Sequence, residues 1–181
     1  MSDWTSIEHE VELGVIIGRQ AFNVPAANVL PHYVAGYCLA LDMTAKDFLI
    51  KSQAKTNDFA WSVAKGFDTA CPVSEFIPKQ SIADPHNVDL WLEVNGEMRQ
   101  NANTKLMIFD IPAVVSYLST FFTLYPGDLI LTGTPAGIGE VKRGDVIKCG
   151  LRGIKEMKFA VFTFLAHCCT VCGIPEKIIL I

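Results

Sequence analysis

A row of carboxylates enters one of the most apolar segments of this chain. Glu8-His9-Glu10-Val11-Glu12 runs directly into Leu13-Gly14-Val15-Ile16-Ile17-Gly18. On an extended strand the side chains alternate between faces, so Glu8, Glu10 and Glu12 would share one face. Same-face neighbours lie roughly 6.5–7 Å apart, so two glutamates can converge on one ion. A hard divalent cation such as Mg²⁺ or Mn²⁺ would offset their repulsion. The segment alone leaves an alternative open, namely an exposed edge strand with a solvated acidic face.

Composition limits the protein to a few classes. The 181 residues are enough for one domain with a substantial core. Half of them are hydrophobic and 19% are charged, which argues against disorder. The net charge is −4 and basic residues do not cluster, so nucleic acid is not expected as a partner. The first residues form neither an apolar export signal nor an Arg-rich presequence, so no transit peptide is predicted and a reducing, intracellular compartment is favoured.

The last part of the chain, residues 161–181, differs from the rest because it is apolar and contains three closely spaced cysteines. Cys168, Cys169 and Cys172 stand beside His167, a pattern typical of zinc or redox clusters. A second group of ligands is missing, however, so a packing role is favoured. The apolar run is too short and too interrupted to predict a membrane span.

The remaining pattern predicts an α+β fold. Two helices are expected, one over 45–55 with Thr44 as its N-cap and one over 111–122 with Asp110 as its N-cap. Asn95-Gly96 is a strong hairpin turn signal after an alternating segment. Strands are predicted over 33–41, 88–94, 129–131 and 146–149. Because helices do not alternate regularly with strands, a mixed, rolled β-sheet is expected rather than a doubly wound one.

Three further residues are candidates for a site. Asp42 ends the predicted strand 33–41 and is the natural third carboxylate beside Glu10 and Glu12. Lys65 is flanked by small residues and could stabilise an oxyanion, although a surface lysine before a turn is the alternative. Thr134 lies in the Gly-rich segment 132–139, whose backbone N–H groups could face an anion. This segment lacks the Gly-Lys-Ser/Thr ending of a Walker loop.

Five segments in order resemble the fumarylacetoacetate hydrolase family, and in particular its acylpyruvase branch. They are HEVELGVIIG, GYCLALDMTAKD, KGFDTACPVSEFIPK, DPHNVDLWLEVNGEMRQ and PGDLILTGTPAGIG. The resemblance implies the family's C-terminal fold, which is sandwich-like with few helices, over residues 1–160. It also implies that Glu10, Glu12 and Asp42 bind Mg²⁺ or Mn²⁺.

The same resemblance implies roles for other residues. Lys65 matches a catalytic lysine near the metal, and Thr69 matches a threonine of the metal shell. Lys46 and Thr134 match residues that contact the substrate. Members of this branch hydrolyse acylpyruvates, decarboxylate oxaloacetate or tautomerise it through a metal-stabilised enolate. The resemblance also implies a homodimer and a mitochondrial protein, with cytosolic protein in some members.

The chain departs from the family pattern in ways that predict reduced activity. Relatives carry a segment before the acidic strand that includes a lid with a water-activating His–Glu pair, so the chain is expected to be truncated. His9 does not replace that pair. Loss of a general base slows water attack by roughly 10²–10⁴-fold. Lys46 stands where arginine is usual, and Leu49 where glutamine is usual. The alternative is therefore a catalytically impaired metal-binding homologue or splice product that acts as a dimer partner.

Overall fold

The computed structural model describes residues 6–53 and 61–161 of the chain. Its strands are β1 Ile7–His9, β2 Val11–Ile17, β3 Val34–Leu41, β4 Thr44–Ala45, β5 Ile77–Pro78, β6 Asp89–Val94, β7 Glu97–Asn103, β8 Leu129–Leu131, β9 Gly139–Val141, β10 Val146–Leu151 and β11 Lys155–Ala160. Its α-helices are α1 Ala26–Asn28, α2 Lys46–Gln53, α3 Trp61–Lys65 and α4 Ile111–Ser119. Short π and 3₁₀ turns cover Val29–Tyr33, Lys79–Ser81 and Thr104–Leu106.

The strands form three sheets. One has the order β5-β3-β2-β8, the second β11-β10-β6-β7, and the small third sheet β4-β1-β9. Every pairing among the described strands is antiparallel. Strands dominate over the few short helices, which confirms the predicted α+β class, but the described sheets are antiparallel rather than mixed as predicted.

The hydrophobic core lies between the two four-stranded sheets. Leu13 and Leu39 from one sheet belong to the same buried cluster as Leu92, Ile147 and Leu151 from the other. Each is at most 2% exposed. Burying one such side chain stabilises the fold by about 1.5–3 kcal/mol, so this shared layer holds the sheets together.

Several predicted elements are confirmed. Asp110 caps α4 by accepting the N–H of Ala113 at 2.7 Å. Asn95 and Gly96 both have positive φ values, 54° and 82°, as a two-residue hairpin turn between β6 and β7 requires. The predicted strand 129–131 is β8. Helix α4 ends at Ser119, earlier than predicted, because the chain then turns tightly through Phe121 and Phe122, whose amides both bond to the carbonyl of Leu118.

The predicted N-cap at Thr44 is wrong. Thr44 and Ala45 form β4, which pairs with β1, and α2 begins only at Lys46. The Thr44 hydroxyl donates to Glu10 Oε1 at 2.9 Å instead of accepting a helix N–H. Thr44 therefore pairs with a residue of β1 and bonds to the Glu10 carboxylate, and it does not cap α2.

Two predictions about the chain ends lie outside the described residues. The cysteine-containing cluster at 167–172 and nearly all of the segment 161–181 belong to the part that is left undescribed. Within 6–53 and 61–161, no helix has the length and hydropathy needed to cross a membrane.

Candidate metal centre

The acidic segment does not form one continuous strand. β1 ends at His9 and β2 begins at Val11, and the two strands belong to different sheets. Glu10 therefore lies at a break, where its carbonyl accepts the N–H of Asp42 at 2.8 Å. The prediction of a single strand with three glutamates on one face is wrong, because β1 and β2 pair with different strands.

Three carboxylates nevertheless meet at this break. One oxygen each from Glu10, Glu12 and Asp42 lies within 4.8 Å of the others. Glu12 projects from β2 and is only 3% exposed, and Asp42 follows the last residue of β3. Glu8 forms an ion pair with Lys46 instead, since its Oε2 lies 2.7 Å from Lys46 Nζ. The structure thus brings together the three residues that sequence reasoning assigned to a metal.

Lys65 inserts its ammonium group among these carboxylates from the end of α3. Its Nζ lies 2.6 Å from Asp42 Oδ2, 3.0 Å from Glu10 Oε2 and 2.6 Å from Thr44 Oγ1. Burial by itself lowers the pKa of Lys65, but the hydrogen bonds and charges of Asp42 and Glu10 outweigh burial and raise it. Lys65 is therefore a fixed positive charge at neutral pH, and the surface-lysine alternative is wrong.

Burial makes the carboxylates reluctant to ionise. It raises the pKa of Glu12 to about 8, a shift that the N–H of Gly133 opposes and that the charges of Asp42 and Glu10 reinforce. Burial also raises the pKa of Asp42, although the hydrogen bond from Lys65 acts in the opposite direction. One lysine supplies too little positive charge to balance three clustered carboxylates. The cluster would therefore attract a further cation.

The donor atoms fit a hard divalent cation. Asp42 Oδ1 is buried and has no hydrogen-bond partner within residues 6–53 and 61–161. A buried carboxylate oxygen without a partner is costly unless something else binds it. The three acids offer only oxygen ligands, which Mg²⁺ and Mn²⁺ prefer. The residues present therefore suit such an ion.

The Gly-rich segment 132–139 packs directly against the acidic strand. The N–H of Gly133 donates to Glu12 Oε2 at 2.6 Å. The hydroxyls of Thr132 and Thr134 donate to the carbonyls of Leu13 and Val11, at 2.7 and 2.9 Å. Thr134, the predicted substrate contact, is thus held at the edge of the carboxylate cluster.

Two threonines, Thr69 and Thr44, have different environments in the structure. Thr69, predicted to be part of the metal shell, is exposed and has a φ of 68°, next to Ala70, whose carbonyl accepts the N–H of Met43. Thr44 was read only as a helix cap, yet it contacts both Glu10 and Lys65. Its position two residues after Asp42, one of the predicted metal ligands, was the available signal.

Comparison with known proteins shows the family of this chain. The family model described as "Fumarylacetoacetate (FAA) hydrolase C-terminal" matches residues 2–162. The chain belongs to the fumarylacetoacetate hydrolase family. It is 51% identical over 156 residues to the mitochondrial oxaloacetate tautomerase FAHD1 of Rattus norvegicus, which covers 86% of this chain and 69% of the relative. It is 49% identical over 158 residues to the mitochondrial oxaloacetate decarboxylase of Dictyostelium discoideum, with 87% and 71% covered.

A solved structure of the same family is also similar. Fumarylpyruvate hydrolase from Pseudomonas aeruginosa, in complex with Mn²⁺ and pyruvate, superposes with a TM-score of 0.84 at 33% identity. The match covers 90% of this chain and 68% of that one. The family match over residues 2–162 confirms the resemblance predicted from the sequence, and these relatives are named as enzymes.

Proposed function

We propose that this chain binds Mg²⁺ or Mn²⁺ at Glu10, Glu12 and Asp42 and acts on small 2-oxo acids. The reactions in question are acylpyruvate hydrolysis, oxaloacetate decarboxylation and oxaloacetate tautomerisation. The observation that carries the proposal is the carboxylate cluster with the unpartnered Asp42 Oδ1. The relatives named as oxaloacetate tautomerase, oxaloacetate decarboxylase and fumarylpyruvate hydrolase support this substrate class.

The three reactions share one chemical demand, which is stabilisation of the enolate of a 2-oxo acid. A bound divalent cation would supply a Lewis acid toward the 2-oxo acid oxygens. Lys65 holds a permanent positive charge beside that position, because Asp42, Glu10 and Thr44 fix its ammonium group. A fixed charge costs no reorganisation when negative charge develops on the substrate.

The polar groups around the cluster would orient the substrate. The exposed loop residue Gly133 places its backbone N–H beside Glu12, and Thr134 follows it. Lys46 would attract the substrate carboxylate, and Thr69 would stand at the outer edge of the metal shell. These last two roles rest on the family resemblance alone.

One observation favours the alternative of a catalytically impaired homologue. Lys46 Nζ lies 2.7 Å from Glu8 Oε2, so a substrate carboxylate has to compete with Glu8 for it. A lysine also lacks the bidentate fork of an arginine. Weak substrate binding with intact metal binding would be the result.

We further propose that the chain is a mitochondrial homodimer. The relatives named above as mitochondrial support this location. Exposed aromatic side chains around α4 support a dimer interface there, because large apolar patches are uncommon on the surfaces of monomers. Phe22, Tyr117, Phe121, Phe122 and Tyr125 are each more than half exposed. Light scattering on purified protein would give the oligomeric state.

Turnover measurements with defined metals test the function. Purified protein is freed of metal and assayed on acetylpyruvate and oxaloacetate with Mg²⁺, with Mn²⁺ or with excess chelator. We expect turnover that needs the metal, is lost in Asp42→Ala and persists in Glu97→Gln, which alters an exposed carboxylate at the start of β7. Metal binding without turnover would support the impaired homologue. Turnover that persists with excess chelator would contradict the proposal.

A further inference from the structure

We propose that Gln100 is a positioning residue that fixes the metal-binding strand against the Gly-rich segment 132–139. This inference rests on the proposed metal site, although the contacts that carry it do not depend on a bound ion. Gln100 lies in β7, in the sheet opposite to β2, and is 0% exposed. A fully buried amide destabilises the fold unless its polar atoms are hydrogen-bonded, so its partners indicate what it does.

All four hydrogen-bonding positions of the Gln100 amide are used. Its Oε1 lies 3.0 Å from His9 Nδ1 and 3.2 Å from the Val11 nitrogen. Its Nε2 lies 2.8 Å from Thr134 Oγ1 and 2.9 Å from the Pro135 carbonyl oxygen. Gln100 thus contacts the strand residues on either side of Glu10 and two consecutive residues of the Gly-rich segment.

The chemistry of the partners fixes the direction of each bond. The Val11 N–H can only donate and the Pro135 carbonyl can only accept, so Gln100 Oε1 and Nε2 must be oriented as described. His9 therefore donates from Nδ1. Thr134 accepts a hydrogen from Gln100, so its own hydroxyl hydrogen is available for the carbonyl of Val11, 2.9 Å away.

These bonds close a ring around Val11, the residue between the ligands Glu10 and Glu12. Val11 N–H donates to Gln100, Gln100 donates to Thr134, and Thr134 donates to the Val11 carbonyl. Strand β8 pairs with Gly14 to Ile16 of β2 and ends at Leu131, so no strand among the described residues reaches the outer edge of Val11. The side chains of Gln100 and Thr134 therefore supply the hydrogen bonds that a neighbouring strand would otherwise make to Val11, next to the break between β1 and β2.

The ring changes the role of Thr134. Its hydroxyl hydrogen is committed to Val11, so this group is not available to donate to a substrate. Its side chain holds the ligand strand, and any hydrogen bond donated to a substrate at this residue must come from its backbone. Gln100 and Thr134 act on the metal through the position of Glu10 and Glu12.

Metal affinity and amide exchange together test the proposal. Gln100→Met keeps the side-chain length without its polar groups, and Thr134→Val keeps the shape without the hydroxyl. Mn²⁺ affinity is measured by the electron paramagnetic resonance signal of free Mn²⁺. We expect each variant to bind roughly 10-fold more weakly, as for other residues that orient metal ligands. Thr134→Ser, which keeps the hydroxyl, should stay within about twofold of the wild type.

The double variant distinguishes a ring from two unrelated contacts. Because both residues act through one ring, Gln100→Met with Thr134→Val should lose less affinity than the product of the two single losses. Ser119→Ala is the matched control, since Ser119 is also 0% exposed and bonds to the backbone of Val24 and Ser116. It should lower the melting temperature and leave Mn²⁺ affinity unchanged.

Hydrogen exchange in metal-free protein separates this inference from the proposed function. Gln100→Met and Thr134→Val should speed exchange in peptides covering residues 9–13 and 132–136 by about tenfold or more, with β10 unaffected. Unchanged exchange, or single-variant Mn²⁺ affinities equal to that of the wild type, would overturn the role of Gln100. If the wild type binds no Mn²⁺, the metal site is wrong, and the exchange result alone decides whether the ring holds the strand.

Discussion

The ammonium group of Lys65 lies 2.6 Å from Asp42 Oδ2, inside a cluster that contains two more carboxylates. Lys65 Nζ is 3.0 Å from Glu10 Oε2 as well. It therefore balances part of the negative charge that would otherwise be buried without compensation. Removing one member of a buried ion pair costs more than the pair itself contributes.

Replacing Lys65 by methionine should destabilise the metal-free protein by about 3 kcal/mol, since buried carboxylates lose their counter-charge. Urea unfolding in the presence of a chelator measures this. The same variant should gain more in melting temperature from added Mn²⁺ than the wild type does, because the ion then supplies the missing charge.

Lys155→Met is the matched control for Lys65→Met. Lys155 Nζ lies 2.6 Å from Glu75 Oε2, but the Glu75 side chain is 86% exposed. Surface pairs are screened by water and add little to stability. Equal losses in the two lysine variants would contradict the description of Lys65 as a buried counter-charge.

The raised pKa of Glu12 predicts a pH dependence of stability for the metal-free protein. Its pKa in the folded protein is about 8, against 4.5 for an unperturbed glutamate. Between these values the folded state keeps a proton that the unfolded state has released. The free energy of unfolding should therefore fall as pH rises from about 4.5 to about 8 and level off above that.

Glu12→Gln removes the titrating group and provides the comparison. Its free energy of unfolding in a chelator should change less with pH over the same range, since no proton is exchanged at residue 12. Parallel curves for wild type and Glu12→Gln would show that Glu12 titrates normally in the folded protein.

The close approach of Gly137 to β7 should make this glycine irreplaceable. It has a φ of 101°, and a Cβ there would clash with the backbone carbonyl of Arg99. We expect Gly137→Ala to destabilise the protein by roughly 3 kcal/mol or more, combining backbone strain with a steric clash. The clash would also push the Gly-rich segment away from Gln100.

Gly144→Ala tests the contribution of the backbone alone. Gly144 has a φ of 93°, and among the described residues no atom beyond its chain neighbours lies within 4 Å of a Cβ built there. Its replacement should cost only about 1–2 kcal/mol, the usual penalty of a left-handed residue. If chemical denaturation gives the same loss for both alanine variants, the contact between Gly137 and Arg99 has no energetic role.

Local sequence patterns predicted much of the fold because local interactions determine those parts. The Asn95-Gly96 turn, the Asp110 cap and strand β8 depend on residues close to one another in sequence. The break at Glu10 could not be predicted in this way. It arises because β1 pairs with β4 and β9, which lie far along the chain.

The candidate site was predictable to a similar extent. Glu10, Glu12 and Asp42 were identified because carboxylates next to apolar strands suit a hard cation and because the family resemblance implies the same three ligands. Thr44 was misread because a threonine before a helical pattern usually caps it. Gln100 left no local signal, since its partners His9 and Val11 lie 91 and 89 residues away.

Direct titration with Mn²⁺ is the most decisive test of the metal centre. The wild type should bind one ion per chain, detected as loss of the free Mn²⁺ resonance, and Asp42→Ala should bind at least about 100-fold more weakly, since it loses a ligand rather than a residue that orients one. Glu97→Ala, at an exposed carboxylate, should bind like the wild type. Equal Mn²⁺ affinity in Asp42→Ala and the wild type would contradict the assignment of Glu10, Glu12 and Asp42 as the metal site.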